Sequence, residues 1–290
     1  MNAQLPNKQD TTDPDEFARM RIRMMSIAYR MLGSVVDAED AVQDAFLRLQ
    51  ATADVHSPEG FLIRATTRRC IDILRQRSRN TYVGPWVPEP IDTRGQLSDV
   101  SESLSQAFLL MLERLSPEER AAFLLRVVFD YEYAAIAEIV QKSEAAVRQL
   151  VSRARRHVGL ENPRFSAELK SADQFTETFL AACNSGDLAQ VEKLLSDDIQ
   201  VHSDGGGKVF AARVVIDGKT RAAKYLIGIF RKIRPFDLKP TTVNGMPGWE
   251  VSLNGELIQV MSIHIEQGVK AIYITRNPDK LTRWQSVEII

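Results

Sequence analysis

Apolar residues recur at helical spacing through the first part of the chain, between Phe17 and about Arg79. Such a stripe buries one face of each helix, so it predicts helices that pack on one another. Ser34 stands three residues before Asp37, which is the spacing of an N-terminal cap, and Pro58 suits a first helical turn. The pattern therefore predicts three helices.

A second helical block spans about 102–160. Residues 116–119 (Ser-Pro-Glu-Glu) form a helix start, with a cap, a proline in the first turn and a glutamate at the third position. The pattern predicts a helix to about residue 129, a short helix over 131–140 and, after a two-residue turn, a helix that Ser143 caps. Two helices joined by a tight turn, the second of them rich in arginine, are typical of a helix-turn-helix.

The segment between the two blocks, residues 80–101, contains three prolines and two glycines and cannot form a regular helix. At about 20 residues, it is longer than a usual loop. Its apolar residues, among them Tyr82 and Trp86, distinguish it from a solvated spacer. We expect it to pack on a folded domain through Trp86.

From about residue 170 the pattern predicts an α+β domain, because helices come first and alternating, strand-like segments follow. The predicted helices are 171–185, 188–196 and 221–233, the last of them capped by Thr220. Asn254-Gly255 is a hairpin signal and favours antiparallel pairing. The predicted strands are 199–203, 209–216, 238–243, 249–253, 257–265 and 270–275.

The chain has 290 residues and a formal net charge of -1, which would argue against a nucleic-acid partner if charge were evenly spread. It is not. Residues 60–80 contain six arginines and one acid, and residues 145–158 contain four arginines and no acid. Residues 36–45 carry four acids and no base. Segregated basic helices attract phosphate even in a neutral protein.

The last helix of the second block separates into faces. Val147, Leu150, Val151 and Ala154 form an apolar stripe, and polar or basic residues cover the rest. Arginine reads guanine and glutamate accepts from cytosine, whereas further arginines hold phosphates. We expect the residues near the helix start to reach base edges: Ser143, Glu144, Arg148 and Gln149. We expect the later ones to line the DNA backbone: Ser152, Arg153, Arg155 and Arg156.

Several function classes are disfavoured. No apolar run is long enough for a membrane helix, the N-terminus lacks the apolar stretch of a secretory signal, and two cysteines suit a reducing, cytoplasmic setting. The sequence contains no P-loop, GxGxxG or HExxH motif. We therefore predict no membrane contact, no cofactor, no metal site and no catalytic residue.

The order of the blocks resembles bacterial sigma factors of the extracytoplasmic function (ECF) type, which keep regions 2 and 4. The resemblance rests on DAEDAVQDAFLRLQ, SPEGFLIRATTRRCIDILRQR and LSPEERAAFLLRVVFDYEYAAIAEIVQKSEAAVRQLVSRARRHV, and covers about 17–160. It implies that core RNA polymerase and promoter DNA are the partners, and that the Ser143–Arg156 helix reads the −35 element. The residues implied for core polymerase are Asp37, Asp40, Gln43, Asp44 and Arg48. Those implied for the −10 element are His56, Phe61, Arg64, Arg68, Arg69, Arg75, Arg77, Arg79 and Asn80.

The C-terminal part resembles SnoaL-like domains of the NTF2-like cone fold. Three motifs, YVGPWVPEP (82–90), DGGGK (204–208) and NPDKL (277–281), are similar to those of sigma factors with a fused SnoaL-like extension, the SigJ-like group. The resemblance implies that the extension contacts the sigma core and regulates it in cis. The implied regulatory residues are Tyr82, Pro85, Trp86, Pro88, Asp204, Gly205, Gly206, Gly207, Lys208, Asn277, Pro278 and Asp279.

The expected fold is therefore multidomain, with two all-α domains followed by an α+β cone. The expected bounds are 1–80 (region 2), 81–101 (linker), 102–160 (region 4) and 168–290 (SnoaL-like). Two alternatives stay open: a helix-turn-helix regulator that senses a small-molecule ligand in its C-terminal pocket, and an enzyme acting in that pocket. A general base would come from His202, Asp204, Asp217 or His264.

Overall fold

The computed structural model describes residues 14–77, 82–94, 102–158, 169–232 and 235–284. Its first half is helical, as the periodicity predicts. A short 3₁₀ turn (Glu102–Leu104) and a π-helical turn (Leu124–Val128) accompany the α-helices. These are α1 (Pro14–Leu32), α2 (Val35–Ala51), α3 (Pro58–Arg77), α4 (Gln106–Leu112), α5 (Pro117–Phe123), α6 (Tyr133–Val140) and α7 (Glu144–Val158).

Two of the predicted helix starts are confirmed by their caps. The Ser34 hydroxyl accepts a hydrogen bond from the amide of Asp37 at 3.3 Å. Ser116 and Glu119 form a reciprocal capping box, in which each side chain bonds the backbone amide of the other. The helix that begins there ends as α-helix at Phe123 and continues only as the π turn, so the prediction of one regular helix to Phe129 was wrong.

The two helical segments share one hydrophobic cluster, which runs from Met20 in α1 to Val158 in α7. The basic helix α3 packs on α1 and α2 and also on α5 and α6. Apolar stripes on helices on both sides of the linker are thus buried against each other, which brings region 2 and region 4 together.

In the described part of the second half, four helices accompany one six-stranded sheet. The sheet order is β2-β1-β6-β5-β4-β3. The helices are α8 (Leu169–Ser185), α9 (Leu188–Leu194), α10 (Lys219–Lys232) and α11 (Pro278–Leu281). The strands are β1 (Leu195–Asp204), β2 (Ile216–Asp217), β3 (Asp237–Val243), β4 (Met246–Leu253), β5 (Glu256–Ile265) and β6 (Val269–Thr275).

The structure corrects three details of the C-terminal prediction. β1 pairs with β6 in parallel. The chain between these two strands includes β2 to β5 and α10, which allows a parallel pairing that a short hairpin would not. Of the predicted strand 209–216, only its last residue is in a strand: Phe210 and Val214 are 69% and 63% exposed, so their alternation is not matched by burial. Helix α10 begins at Lys219, so Thr220 lies inside the helix and is not its cap.

The sheet has two different faces. One face packs on α8, α9 and α10 through a cluster that includes Val201, Phe230 and Ile272. On the other face, Tyr273 packs with Val87 of the linker. The linker thus serves as part of the core of the C-terminal domain. None of the helices in the described part of the chain is long and apolar enough to cross a membrane.

The linker is also fixed to region 2, between α1 and α2. Gly33 has a φ of +60°, and a Cβ atom there would lie 2.4 Å from the Trp86 ring. The Gly33 carbonyl accepts a hydrogen bond from the Glu89 amide at 2.8 Å. Trp86 therefore anchors the segment as expected, on a glycine whose missing side chain leaves room for the indole.

Gly33→Ala tests this contact. The left-handed backbone alone costs about 1–2 kcal/mol for a residue with a Cβ atom. The collision with Trp86 adds to that cost. Gly255→Ala is the matched control, because Gly255 has a φ of +81° and open space around its Cβ position. In urea unfolding we expect a larger loss of stability for Gly33→Ala. Equal losses would contradict the proposed role of the indole contact.

Candidate functional site

The acidic helix α2 presents one exposed stripe. Val36, Asp40, Gln43 and Leu47 follow one another at helical spacing and are all exposed. Val36 and Leu47 are apolar yet 41% and 56% exposed. Sequence analysis missed these two, although their position off the buried stripe could have identified them. The stripe is a mixed apolar and polar surface suited to a protein partner.

The other predicted residues of α2 form ion pairs within the chain. Asp37 pairs with Arg77 of α3. Asp44 lies 2.9 Å from the guanidinium of Arg48 and 3.6 Å from that of Arg69. The acidic run is therefore partly neutralised by the basic helix, and Asp40 and Gln43 are its solvent-facing members.

The basic face of α3 is turned towards region 4. Arg68 donates two hydrogen bonds of 2.9 Å to the carbonyl oxygens of Glu138 and Ile139 in the last turn of α6. Arg75 bonds the carboxylate of Glu118 in the first turn of α5. Both contacts are electrostatically favourable, since cations suit the C-terminal end of a helix and acids its N-terminal end.

The remaining predicted −10 residues are spread around this face. Arg64 lies 3.8 Å from the Glu138 carboxylate, and Arg77 donates to the carbonyl oxygen of Leu32 at 2.7 Å. His56 is exposed and Phe61 is half-buried. The predicted residues that lie outside the described ranges are Arg79 and Asn80.

Helix α7 buries its apolar stripe and exposes the predicted DNA residues. Val147, Leu150 and Val151 are buried. The exposed residues include Ser143, Glu144, Arg148, Gln149, Ser152, Arg153, Arg155 and Arg156. The face is thus open to a macromolecule along the whole helix.

Two arginines of α7 have partners within region 4. The Arg148 guanidinium lies 4.1 Å from the centre of the Tyr133 ring and 3.5 Å from Glu144. Arg153 lies 3.2 Å from the Glu119 carboxylate. These contacts fix the directions of the two side chains on the helix surface.

Asp204 joins the linker to the C-terminal domain at the end of β1, where it is fully buried. Its carboxylate accepts hydrogen bonds from the Tyr82 hydroxyl (2.7 Å), the Val87 amide (3.0 Å), the Gly206 amide (2.9 Å) and Lys280 (2.7 Å). Burial lowers the pKa of Lys280, an effect that the Asp204 charge opposes. Burial and the bond to Asp204 raise the pKa of Tyr82, so the phenol stays protonated and donates.

The glycines of the DGGGK segment allow close packing around Asp204. A Cβ atom on Gly206 would lie 2.3 Å from the amide nitrogen of Asn277, and one on Gly207 would lie 3.2 Å from Val83. The Asn277 amide in turn donates to the Tyr82 hydroxyl at 3.2 Å. The structure thus brings the three short motifs into one cluster.

The other predicted regulatory residues lie around this cluster. Lys208 bonds Asp279 at 2.6 Å on the surface. The Pro88 carbonyl accepts from Gln106 of α4 at 3.1 Å. Pro278 is in the first turn of α11, and Pro85 is half-buried.

Sequence analysis missed a second junction, at the tip of the β3–β4 hairpin. Asn244 is fully buried and has a φ of +53°. Its side chain accepts from the Ile91 amide at 3.0 Å and donates to the Tyr29 hydroxyl at 2.7 Å and to the Leu104 carbonyl at 2.9 Å. Asn-Gly at 244–245 is a hairpin signal, but its interdomain partners are 140 or more residues away in sequence.

Within the described part of the chain, the four candidate general bases have different partners. His202 stacks on Tyr273, at 5.3 Å between ring centres, on the linker face of the sheet. Asp204 is engaged with the linker, and Asp217 accepts from Gln200 on the surface. Burial lowers the pKa of His202 and of His264. A cavity of about 720 Å³ lies elsewhere, where region 2, the linker, region 4 and α11 meet.

Comparison with known proteins identifies the two helical segments. Residues 17–80 match the family model for Sigma-70 region 2, and residues 105–158 match that for Sigma-70 region 4. The chain is 33% identical over 289 residues to the ECF RNA polymerase sigma factor SigJ of Mycobacterium tuberculosis, with 92% of each chain covered. It is 28% identical to the probable ECF sigma factor SigI of the same species, over 90% of this chain and 92% of that one.

The likeness to SigJ extends to the C-terminal domain. The crystal structure of the M. tuberculosis ECF sigma factor SigJ superposes with a TM-score of 0.76 at 31% identity, over 94% of this chain and 99% of that one. The two sigma regions and the α+β NTF2-like domain therefore occur together in one relative along its whole length. With these matches, the chain belongs to the ECF family of RNA polymerase sigma factors, and its two helical segments are sigma regions 2 and 4.

Proposed function

We propose that this sigma factor docks on core RNA polymerase through the exposed stripe of α2, formed by Val36, Asp40, Gln43 and Leu47. Helix α3 and the loop before it engage the −10 element, and α7 reads the −35 element in the major groove. The activity is placed in the cytoplasm because the polymerase and the chromosome are there. The exposed basic face of α7, backed by a buried apolar stripe, carries the DNA part of this proposal.

The structure corresponds to a closed form of the factor. Elements centred 25 base pairs apart are separated by roughly 85 Å along DNA. Helices α3 and α6 are in direct contact here, with Arg68 bonded to α6. Regions 2 and 4 must therefore separate before both elements can be bound. On separation, Arg68 and Arg75 of α3 lose their carbonyl and carboxylate partners in region 4 and become free to contact DNA.

The C-terminal domain modulates this change in cis. It holds the linker through Asp204 and Lys280 on one side and through Asn244 on the other. A linker fixed at both points limits how far region 4 can move from region 2. Release of the linker is thus the step on which opening depends.

Run-off transcription tests the core function. Full-length protein added to purified core polymerase should yield promoter-dependent transcripts. Leu47→Glu should abolish them, because a charge is placed in the proposed apolar contact without disturbing the fold of a 56% exposed position. Val214→Glu, at an exposed valine of the C-terminal domain, is the control and should remain active. Duplex binding without any transcript from the wild type would refute the proposal.

The roles within α7 are separable by substitution. In holoenzyme, Arg148→Ala should relax the −35 sequence preference by about 1–3 kcal/mol at one position, because a base contact is lost. Arg155→Ala should weaken binding uniformly and reduce the salt slope by about 1, because a phosphate contact is lost. Binding to −35 variants over a range of salt concentrations measures both effects. Equal losses of DNA affinity in both variants, independent of the −35 sequence, would contradict the assignment.

Asp204→Asn tests the hold on the linker. Without its partner charge, the buried Lys280 ammonium destabilises the closed junction, by about 3–5 kcal/mol for such a broken pair. Asp279→Asn is the matched control, since it removes only the exposed bond to Lys208 and should cost less than about 1 kcal/mol. Hydrogen exchange over 82–93 should accelerate for Asp204→Asn alone, with altered transcript yield. Identical behaviour of the two variants would exclude Asp204 as the anchor.

A further inference from the structure

A glutamate of the linker caps the helix that we assign to polymerase docking. The Glu89 carboxylate accepts a hydrogen bond from the Val35 amide at 2.8 Å, and the Val36 amide favours its ionised form. Ser34 satisfies the next amide of α2, that of Asp37. The first turn of a helix has amides without partners inside the helix, and a negative charge there is favourable. Residues from two separate segments therefore share the cap of α2.

Glu89 is held in place by the C-terminal domain. Its carbonyl oxygen accepts from the Tyr29 hydroxyl at 2.6 Å, and that hydroxyl accepts from Asn244 at 2.7 Å. Asn244 also fixes the linker two residues beyond Glu89, because it bonds both backbone polar groups of Ile91. Tyr29 and Asn244 are fully buried, and Glu89 is 2% exposed. Such a buried network leaves little freedom for the carboxylate to move.

The charge on Glu89 restricts where its side chain can lie. Burial raises the pKa of this carboxyl, whereas the amides of α2 stabilise its ionised form. A buried carboxylate that left the helix N-terminus would lose these donors while remaining away from water. The carboxylate is therefore tied to α2 as long as the hairpin tip holds the linker.

We propose that Glu89 is a positioning residue for core-polymerase binding: the C-terminal domain, through Asn244 and Tyr29, sets it as the cap of α2 and so orders the first turn of the docking helix. The proposal rests on the assignment of α2 to polymerase docking. It gives the C-terminal domain a supporting role at this helix, in addition to its restraint of the linker.

The experiment compares four variants of the full-length protein. Glu89→Gln keeps the side-chain shape and removes the charge, and Asn244→Ala removes the side-chain bonds from the hairpin tip to Ile91, Tyr29 and Leu104. Tyr29→Phe deletes only the hydroxyl between them. Asn254→Ala is the matched control: Asn254 has the same φ of +53°, also precedes a glycine in a hairpin, and is exposed. Circular dichroism verifies that each variant is folded.

The readouts are amide hydrogen exchange over 35–37 and affinity for core polymerase. Glu89→Gln, Asn244→Ala and Tyr29→Phe should each speed exchange in the first turn of α2 by about fivefold, the size typical of a lost cap. Core-polymerase binding should weaken in each of these three variants. Asn254→Ala should change neither quantity.

Unchanged exchange in Asn244→Ala and Tyr29→Phe would overturn the proposal, even if Glu89→Gln has an effect, because the C-terminal domain would then not control the cap. If Asn244→Ala does not fold, Tyr29→Phe decides. The exchange measurement needs no polymerase, so failure of the docking assignment is recognised separately, by wild-type protein that does not bind core enzyme.

Discussion

The buried charge of Asp204 is the constraint on which the interdomain arrangement depends. A carboxylate removed from water is tolerated only where donors surround it. Here those donors come from the linker, from its own turn and from α11. Lys280 adds a cation and places it 4.6 Å from the centre of the Trp86 ring. The linker cannot leave without exposing or orphaning several of these groups together, so the contact is cooperative.

The charged side chains of the basic helix α3 also have partners in another segment of the chain. Arg68 and Arg75 are bonded to helix ends, which offer carbonyl oxygens and a carboxylate where the proposed DNA complex would offer phosphates. Guanidinium groups donate hydrogen bonds to protein oxygens and to phosphate oxygens at similar distances. Exposed ion pairs contribute little each, so the proposed exchange of partners would cost little. Attachment of regions 2 and 4 is therefore carried mainly by the shared apolar cluster and by the linker.

Local features of the chain were predictable and distant ones were not. The caps at Ser34 and Ser116 follow from residues three positions apart, and the hairpin at 254–255 from two adjacent residues. The family resemblance also indicated the three motifs that meet at Asp204. In contrast, the parallel pairing of β1 with β6 and the bond from Arg68 to α6 join segments about 70 residues apart. In the sequence, Asn244 is indistinguishable from an ordinary turn residue, because its side-chain partners are 140 or more residues away and meet it only in the folded protein.

The hydroxyl of Tyr29 has a consequence for the modularity of the chain. It lies in α1, in the middle of region 2, yet its donor is a side chain of the C-terminal domain more than 200 residues away. The interior of region 2 is therefore completed by a side chain of the C-terminal domain. A shortened chain that stops after region 4 would contain a buried phenol with one partner missing and an uncovered linker. Such a fragment would therefore lack contacts that the intact chain makes inside region 2 and along the linker.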